Sequence, residues 1–280
     1  MKGLALSGGG IKAAAHIGAL KALEEENIKF DCVSGASSGS IIVTMYALGY
    51  NSDEMYELFT KYSKKVKYVE LKNLLKMIFG LIFEGEIIID GLNSGKVIER
   101  IMKDLCNQKG ISNIGQIKMP LMIPMVDLQT GEVRIATSKE VRRKTSDKTT
   151  YVTDMPIEKV IRASCSYPVA FSPCVYKGEQ LVDGGIRENL PWKELKEIGA
   201  DEVWGIGFET ILKKEEYYNN MIEIAVRSLD LVCRELSIYE KEGIDKLISI
   251  PMKKVSLLDY RKNEELYNTG YKYMKKILRK

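Results

Sequence analysis

Apolar residues along this chain switch between two spacings, and the switches mark its elements. Residues 3–7 (GLALS) form a short apolar run, three glycines follow, and from Ile11 to Glu25 apolar residues recur at helical spacing. The unit then repeats, with an apolar run at 29–34 (KFDCVS), a tight turn from Gly35 to Gly39 and an apolar helix from Ser40 to Leu48. Two successive strand-turn-helix units predict parallel strands joined by crossover helices. The expected fold is therefore α/β, a mainly parallel central sheet sandwiched between helices. Later strands are expected at 121–126 (LMIPMV), 132–137 (EVRIAT), 202–208 (EVWGIGF) and 246–251 (KLISIP). In 216–239, Ile222, Ala225, Val226, Leu229, Val232 and Leu236 share one stripe, as do Leu266, Gly270, Met274 and Leu278 in 260–279. Both stripes are expected to face the core.

Residues 61–95 differ, combining many lysines with an apolar run (Leu74, Leu75, Met77, Ile78, Phe79, Leu81, Ile82, Phe83) before Gly91-Leu92-Asn93-Ser94-Gly95. The segment reads equally as a flap lying on lipid or as a helix packed on the core. At 280 residues the chain is expected to form a single domain over 1–280.

Composition narrows the class. The hydrophobic fraction of 45% and charged fraction of 29% are ordinary for a globular protein and exclude disorder as the default. A net charge of +4 is small, although lysines crowd at 61–76 and between Lys253 and Lys280. Such clusters meet anionic lipid or are solvated helix faces; no nucleic-acid partner is expected. Cys32, Cys106, Cys165, Cys174 and Cys233 form no CxxC pair and no metal-ligand spacing, which points to a reducing cytoplasm without disulfides or zinc. The apolar start after Met1-Lys2 is broken by Gly8-Gly9-Gly10 and Lys12, unlike a signal peptide, and no apolar run is long enough to span a bilayer. A cytoplasmic protein, at most peripheral to a membrane, is expected.

The sharpest chemical signal is Gly35-Ala36-Ser37-Ser38-Gly39, a G-x-S-x-G between an expected strand and an expected helix. So tight a turn admits only small neighbours and lifts the serine hydroxyl above the sheet. Ser37 would stand at a helix N-terminus, where free N–H groups, that of Ser38 included, favour negative charge on an attacked carbonyl. Gly8-Gly9-Gly10-Ile11-Lys12 is a second candidate, since consecutive glycines bring backbone N–H groups to an anion. It suits an oxyanion hole, a packing turn or a dinucleotide phosphate. For the last, Gly8-x-Gly10-x-x-Ala13 matches the fingerprint of an oxidoreductase, but Asp31, near the ribose-binding offset, precedes the second apolar run instead of ending it. A non-catalytic lipid-binding protein is a third reading.

A nucleophilic serine needs a base. The single histidine, His16, lies in an apolar helix among Ala13, Ala14, Ala15 and Ile17, where it reads as structural. The best carboxylate is Asp183 in Leu181-Val182-Asp183-Gly184-Gly185, at the end of a short apolar strand; its pKa would have to rise through burial.

Together, GGGIK, GASSG and DGG resemble the patatin-like phospholipase family. The resemblance extends to Arg162-Ala163-Ser164-Cys165 with Pro168 and Phe171, to Asn189-Leu190-Pro191, and to His16 in AHIGAL, a position that is not catalytic there. Ala13 departs from the family's usual glycine. The resemblance implies a serine acyl hydrolase acting on fatty-acyl esters of lipids at a membrane surface. Ser37 would be the nucleophile, Asp183 the base, and Gly8, Gly9, Gly10, Ile11 and Ser38 the oxyanion donors, with no metal or cofactor. Lys12 would orient the loop, meet a lipid phosphate or be solvated.

Overall fold

A computed structural model describes residues 1–86, 89–141, 149–211, 217–253 and 255–279. In chain order the elements are β1 (Lys2–Leu6), α1 (Ala13–Glu25), β2 (Cys32–Gly35), α2 (Ser38–Ala47), α3 (Ser52–Ser63), α4 (Leu71–Phe79) and α5 (Lys96–Gln108). There follow β3 (Leu121–Asp127), β4 (Val133–Thr137), β5 (Thr149–Val152), α6 (Ile157–Ser164), β6 (Cys174–Tyr176), β7 (Glu179–Asp183) and α7 (Lys193–Glu197). The chain closes with β8 (Glu202–Ile211), α8 (Met221–Glu240), β9 (Lys246–Lys253) and α9 (Asn263–Leu278).

The strands form one sheet in the order β5-β4-β3-β2-β1-β8-β9, with β7 joined to β3 and β6 joined to β7. The run β3-β2-β1-β8-β9 is parallel throughout, as its continuous apolar strands and helical crossovers require. β4 and β7 pair antiparallel with β3, β5 runs parallel to β4, and β6 pairs antiparallel with β7. The core lies on both faces: Leu4, Ala5 and Leu6 of β1 are fully buried, as are nearly all residues of α1 from Ala13 to Leu23.

Helix α9 packs on α1 as its apolar stripe predicts, with Leu266, Gly270 and Met274 buried. The two helices meet at glycines: a Cβ on Gly18 would lie 2.0 Å from Tyr267 O, and one on Gly270 2.0 Å from Ala15 O. Gly270→Ala is therefore expected to pry the helices apart and cost about 2–4 kcal/mol, read as a lower urea midpoint at unchanged slope.

Helix α8 contradicts the sequence expectation. None of its residues is buried; of the stripe expected to face the core only Val226 and Leu229 are even half-covered, while Ile222, Val232 and Leu236 are exposed. The inward side instead carries Arg227, Asp230, Cys233, Arg234, Ser237 and Glu240. Periodicity locates a stripe on a helix but not the phase it faces, and here the polar side meets the protein.

One strand of the sheet brings distant residues together. On one edge of β3, Leu121 and Met122 pair with Val33 and Ser34 of β2, and further along the same strand Met125 to Asp127 pair with Asp183 to Leu181 of β7. Because β2 runs parallel to β3 and β7 antiparallel, their C-terminal ends point at each other across the short gap between.

Candidate active site

That gap is where Ser37 and Asp183 emerge. Ser37 follows β2 and precedes the first turn of α2 with φ 50° and ψ −127°, a left-handed conformation that a serine adopts only when its surroundings hold it there. Its amide donates to Ser164 Oγ (3.0 Å), and its carbonyl accepts from Ser40 Oγ (2.6 Å). The turn is as tight as G-x-S-x-G predicts: a Cβ on Gly39 would lie 2.5 Å from Leu6 O.

The glycine loop after β1 lies against this turn, since a Cβ on Gly8 would come 2.9 Å from Ser37 Cβ. Its amides are not equivalent. Gly8 N donates to Asn189, to Oδ1 at 3.1 Å and to the backbone O at 3.3 Å, and Ile11 N donates to Leu257 O at 2.8 Å. Among the described residues the amides of Gly9, Gly10 and Ser38 make no such bond. Of the five donors expected from the sequence, two are thus engaged within the protein and three make no backbone hydrogen bond among the described residues.

Asp183 is fully buried. Its Oδ1 accepts from Gly185 N (2.8 Å), while Oδ2 is buried and makes no hydrogen bond. Burial pushes its pKa up to about 7; the Ser37 hydroxyl and the Gly185 amide, which both favour the carboxylate, keep the rise from being larger. Ser37 thus stands close enough to influence the charge on Asp183, yet no bond of ordinary geometry closes on Oδ2. The two are adjacent rather than bonded.

His16 plays no part in this pairing. It is fully buried in α1, its Nε2 hydrogen-bonds to Ser7 O (2.9 Å), its ring lies 4.3 Å from that of Phe208, and burial lowers its pKa to about 4. Asp31 also lies elsewhere. It precedes β2 and accepts from Lys2 N (2.7 Å), at the opposite end of the sheet from the glycine loop, so the dinucleotide reading loses its ribose ligand. Lys12 is half-buried near Asp230 and Arg234 of α8, and desolvation lowers its pKa.

Ser37, Ser38, Gly10 and Ile11 line a cavity of about 110 Å³, partly open to solvent. Away from them its walls are apolar, formed by Met45, Met102, Leu105, Phe59, Leu257 and their neighbours. The arrangement can place an ester carbonyl between a hydroxyl and free amides while a hydrocarbon chain fills the space beyond.

Two positioning residues carry no role in the sequence reading, although both lie in segments it quotes. Ser164 fixes the backbone of Ser37, and Asn189 ties the glycine loop to the Asp183 turn, its Oδ1 lying 3.0 Å from where a Cβ of Gly185 would stand. An asparagine shortly after Asp-Gly-Gly was the available signal, but its partner lies at the other end of the chain. Arg162 is a third: it is buried, with Nε donating to Ser94 O (3.0 Å) and Nη2 to Ser172 O (2.6 Å), and so anchors the end of the 61–95 segment.

Comparison with known proteins adds to this geometry. A sequence profile described as Patatin-like phospholipase matches residues 4–196. The chain is 26% identical to Lysophospholipase NTE1 of Lodderomyces elongisporus over 98% of its own length, and spans only 19% of that protein. It is 30% identical to protein R571 of Acanthamoeba polyphaga mimivirus, covering 98% of this chain and 93% of the other. The fold is similar to that of VipD from Legionella pneumophila, with a TM-score of 0.52 at 17% identity, covering 99% of this chain and 66% of that one.

Proposed function

This chain belongs to the patatin-like phospholipase family, and we propose that it is a serine acyl hydrolase cleaving fatty-acyl esters of lipids, phospholipids or lysophospholipids among them, through a Ser37–Asp183 dyad. The observation that carries the reading is Asp183: a fully buried carboxyl with an unpartnered Oδ2, next to Ser37 at the head of an apolar cavity.

In the first step Ser37 Oγ bonds to the acyl carbonyl carbon while its proton passes to Asp183. The amides of Gly9, Gly10 and Ser38 receive the oxyanion. The intermediate collapses, the alcohol leaves with the proton from Asp183, and the acyl group remains on Ser37. Water then attacks the acyl-enzyme, giving its proton to Asp183; the fatty acid departs and the proton returns to Ser37. No cofactor is called for in this scheme. The name of the fungal relative supports a lysophospholipid as substrate. The five free thiols support a reducing compartment as the place of action, and no described helix is long and apolar enough to cross a membrane.

The test is labelling with a fluorophosphonate that carries an alkyl chain. The wild-type chain is expected to form a stoichiometric adduct and Ser37→Ala none. Absence of labelling in the wild type, or equal labelling of both, overturns the reading.

A further inference from the structure

Two exposed apolar surfaces stand out on this chain. The first follows from α3, whose Leu58, Phe59 and Tyr62 line the cavity wall. The chain leaves α3, and Tyr68 donates or accepts at Ser256 Oγ and accepts from Leu258 N (2.8 Å), beside the cavity-lining Leu257 and Leu258. It then forms α4 and a π-helical turn, Gly80–Glu84. There Leu75, Ile78, Phe79 and Leu81 are exposed, as are Ile82 at 68% and Phe83 at 70%. Lys61, Lys64, Lys65, Lys67, Lys72 and Lys76 fringe this apolar surface, against Glu70, Glu84 and Glu86.

The second surface is α8. Its polar side packs against the turn Gly184–Ile186 that follows Asp183, and Glu240 accepts from Leu190 N (2.7 Å) through Oε1 and from Trp192 Nε1 (2.6 Å) through its backbone O. Its outer side presents Leu231, Val232 (58% exposed), Leu236, Ile238 (62%) and Tyr239 to solvent, with Glu223 and Glu235 exposed among them. Twenty residues of helix with the apolar side outward have no account in the packing of this chain.

We infer that α8 and the α4–π-turn segment are the surfaces by which this protein docks on a lipid bilayer carrying anionic headgroups. The inference rests on the proposed hydrolase reading for the lipid that enters the cavity. The occupant follows from charge and shape. Lysines beside exposed leucines and phenylalanines match an interface where stems lie along hydrocarbon and ammonium groups meet phosphate. Both surfaces are convex helices rather than a groove, as a deformable bilayer tolerates and a folded partner does not require.

The test uses the full chain with Ser37→Ala, so that vesicles are not consumed, and co-sedimentation with vesicles of phosphatidylcholine alone or mixed with phosphatidylserine. Binding is expected, stronger with phosphatidylserine. Val232→Ser with Leu236→Ser, and separately Ile82→Ser with Phe83→Ser, are each expected to weaken binding roughly tenfold or more. Lys72→Gln with Lys76→Gln is expected to reduce the phosphatidylserine preference. With Ser37 intact, both pairs of serine substitutions should leave cleavage of a water-soluble short-chain ester within about twofold, which also reports that the chain is folded. No vesicle binding, an unchanged affinity in the α8 pair, or a dimer in solution that the α8 pair dissolves would each overturn the inference. Because Ser37→Ala binding is scored apart from ester cleavage, failure of docking and failure of the hydrolase reading give different results.

Discussion

Asp183→Asn is expected to lower kcat/KM for a soluble ester by on the order of 10³- to 10⁴-fold while leaving the chain folded and, at neutral pH and above, more stable than wild type. The loss of activity follows from the proposed role, because an amide cannot take the proton of Ser37. The gain in stability follows from burial. The Asp183 carboxyl titrates at about 7 in the folded protein against an ordinary 3.8. Between those values the native state holds a proton that the unfolded chain has lost, so the stability contributed by Asp183 is full below pH 4 and falls as pH rises to about 7. At pH 8 the wild type carries a buried charge that asparagine does not, worth roughly 2–4 kcal/mol. The side-chain carbonyl of the substituted asparagine can still accept from the Gly185 amide. Urea titrations at pH 4.5 and pH 8 check the sign: a variant less stable than wild type at the higher pH would contradict a buried, destabilising carboxylate.

Activity should carry the same titration. If ionised Asp183 is the base, kcat/KM rises with pH, is half-maximal near pH 7 and drops about tenfold per unit below, so that it is about 100-fold lower at pH 5. Glu240 provides the control, since burial pushes it to about 7 as well while its Oε1 accepts from Leu190 N (2.7 Å), beyond Asn189. Glu240→Gln should keep the acid limb in place, and Asp183→Asn should abolish it in whatever activity remains. A profile flat from pH 5 to pH 8 would remove Asp183 from the chemistry.

How legible each part was depends on the range of the interaction behind it. The Ser37 turn is first a local steric problem, which Gly35 and Gly39 announce, although Leu6 and Ser164 from outside it complete its packing. The parallel sheet was legible for the same reason, since each strand-turn-helix unit is contiguous. Asp183 was harder, because what makes it more than a turn residue is burial against the end of β2, and that depends on the register of β7 along β3. The glycine loop was legible as a loop but not amide by amide: Gly8 and Ile11 are engaged by Asn189 and Leu257, from the far half of the chain. Helix α8 was misread because its apolar stripe was real while its direction was assumed.

The end-to-end meeting of β2 and β7 on β3 also gives the proposed chemistry an order in time. A ribosome delivers Ser37 early and its elbow can form from neighbouring residues, but the base arrives only with β7, after β3 has been laid down for it to pair with. A nascent or truncated chain ending before Glu179 would therefore display a well-shaped serine with nothing to deprotonate it. For a protein whose proposed products are detergents, the sheet's topology acts as an interlock: ester cleavage waits until the second half of the chain has closed over the first.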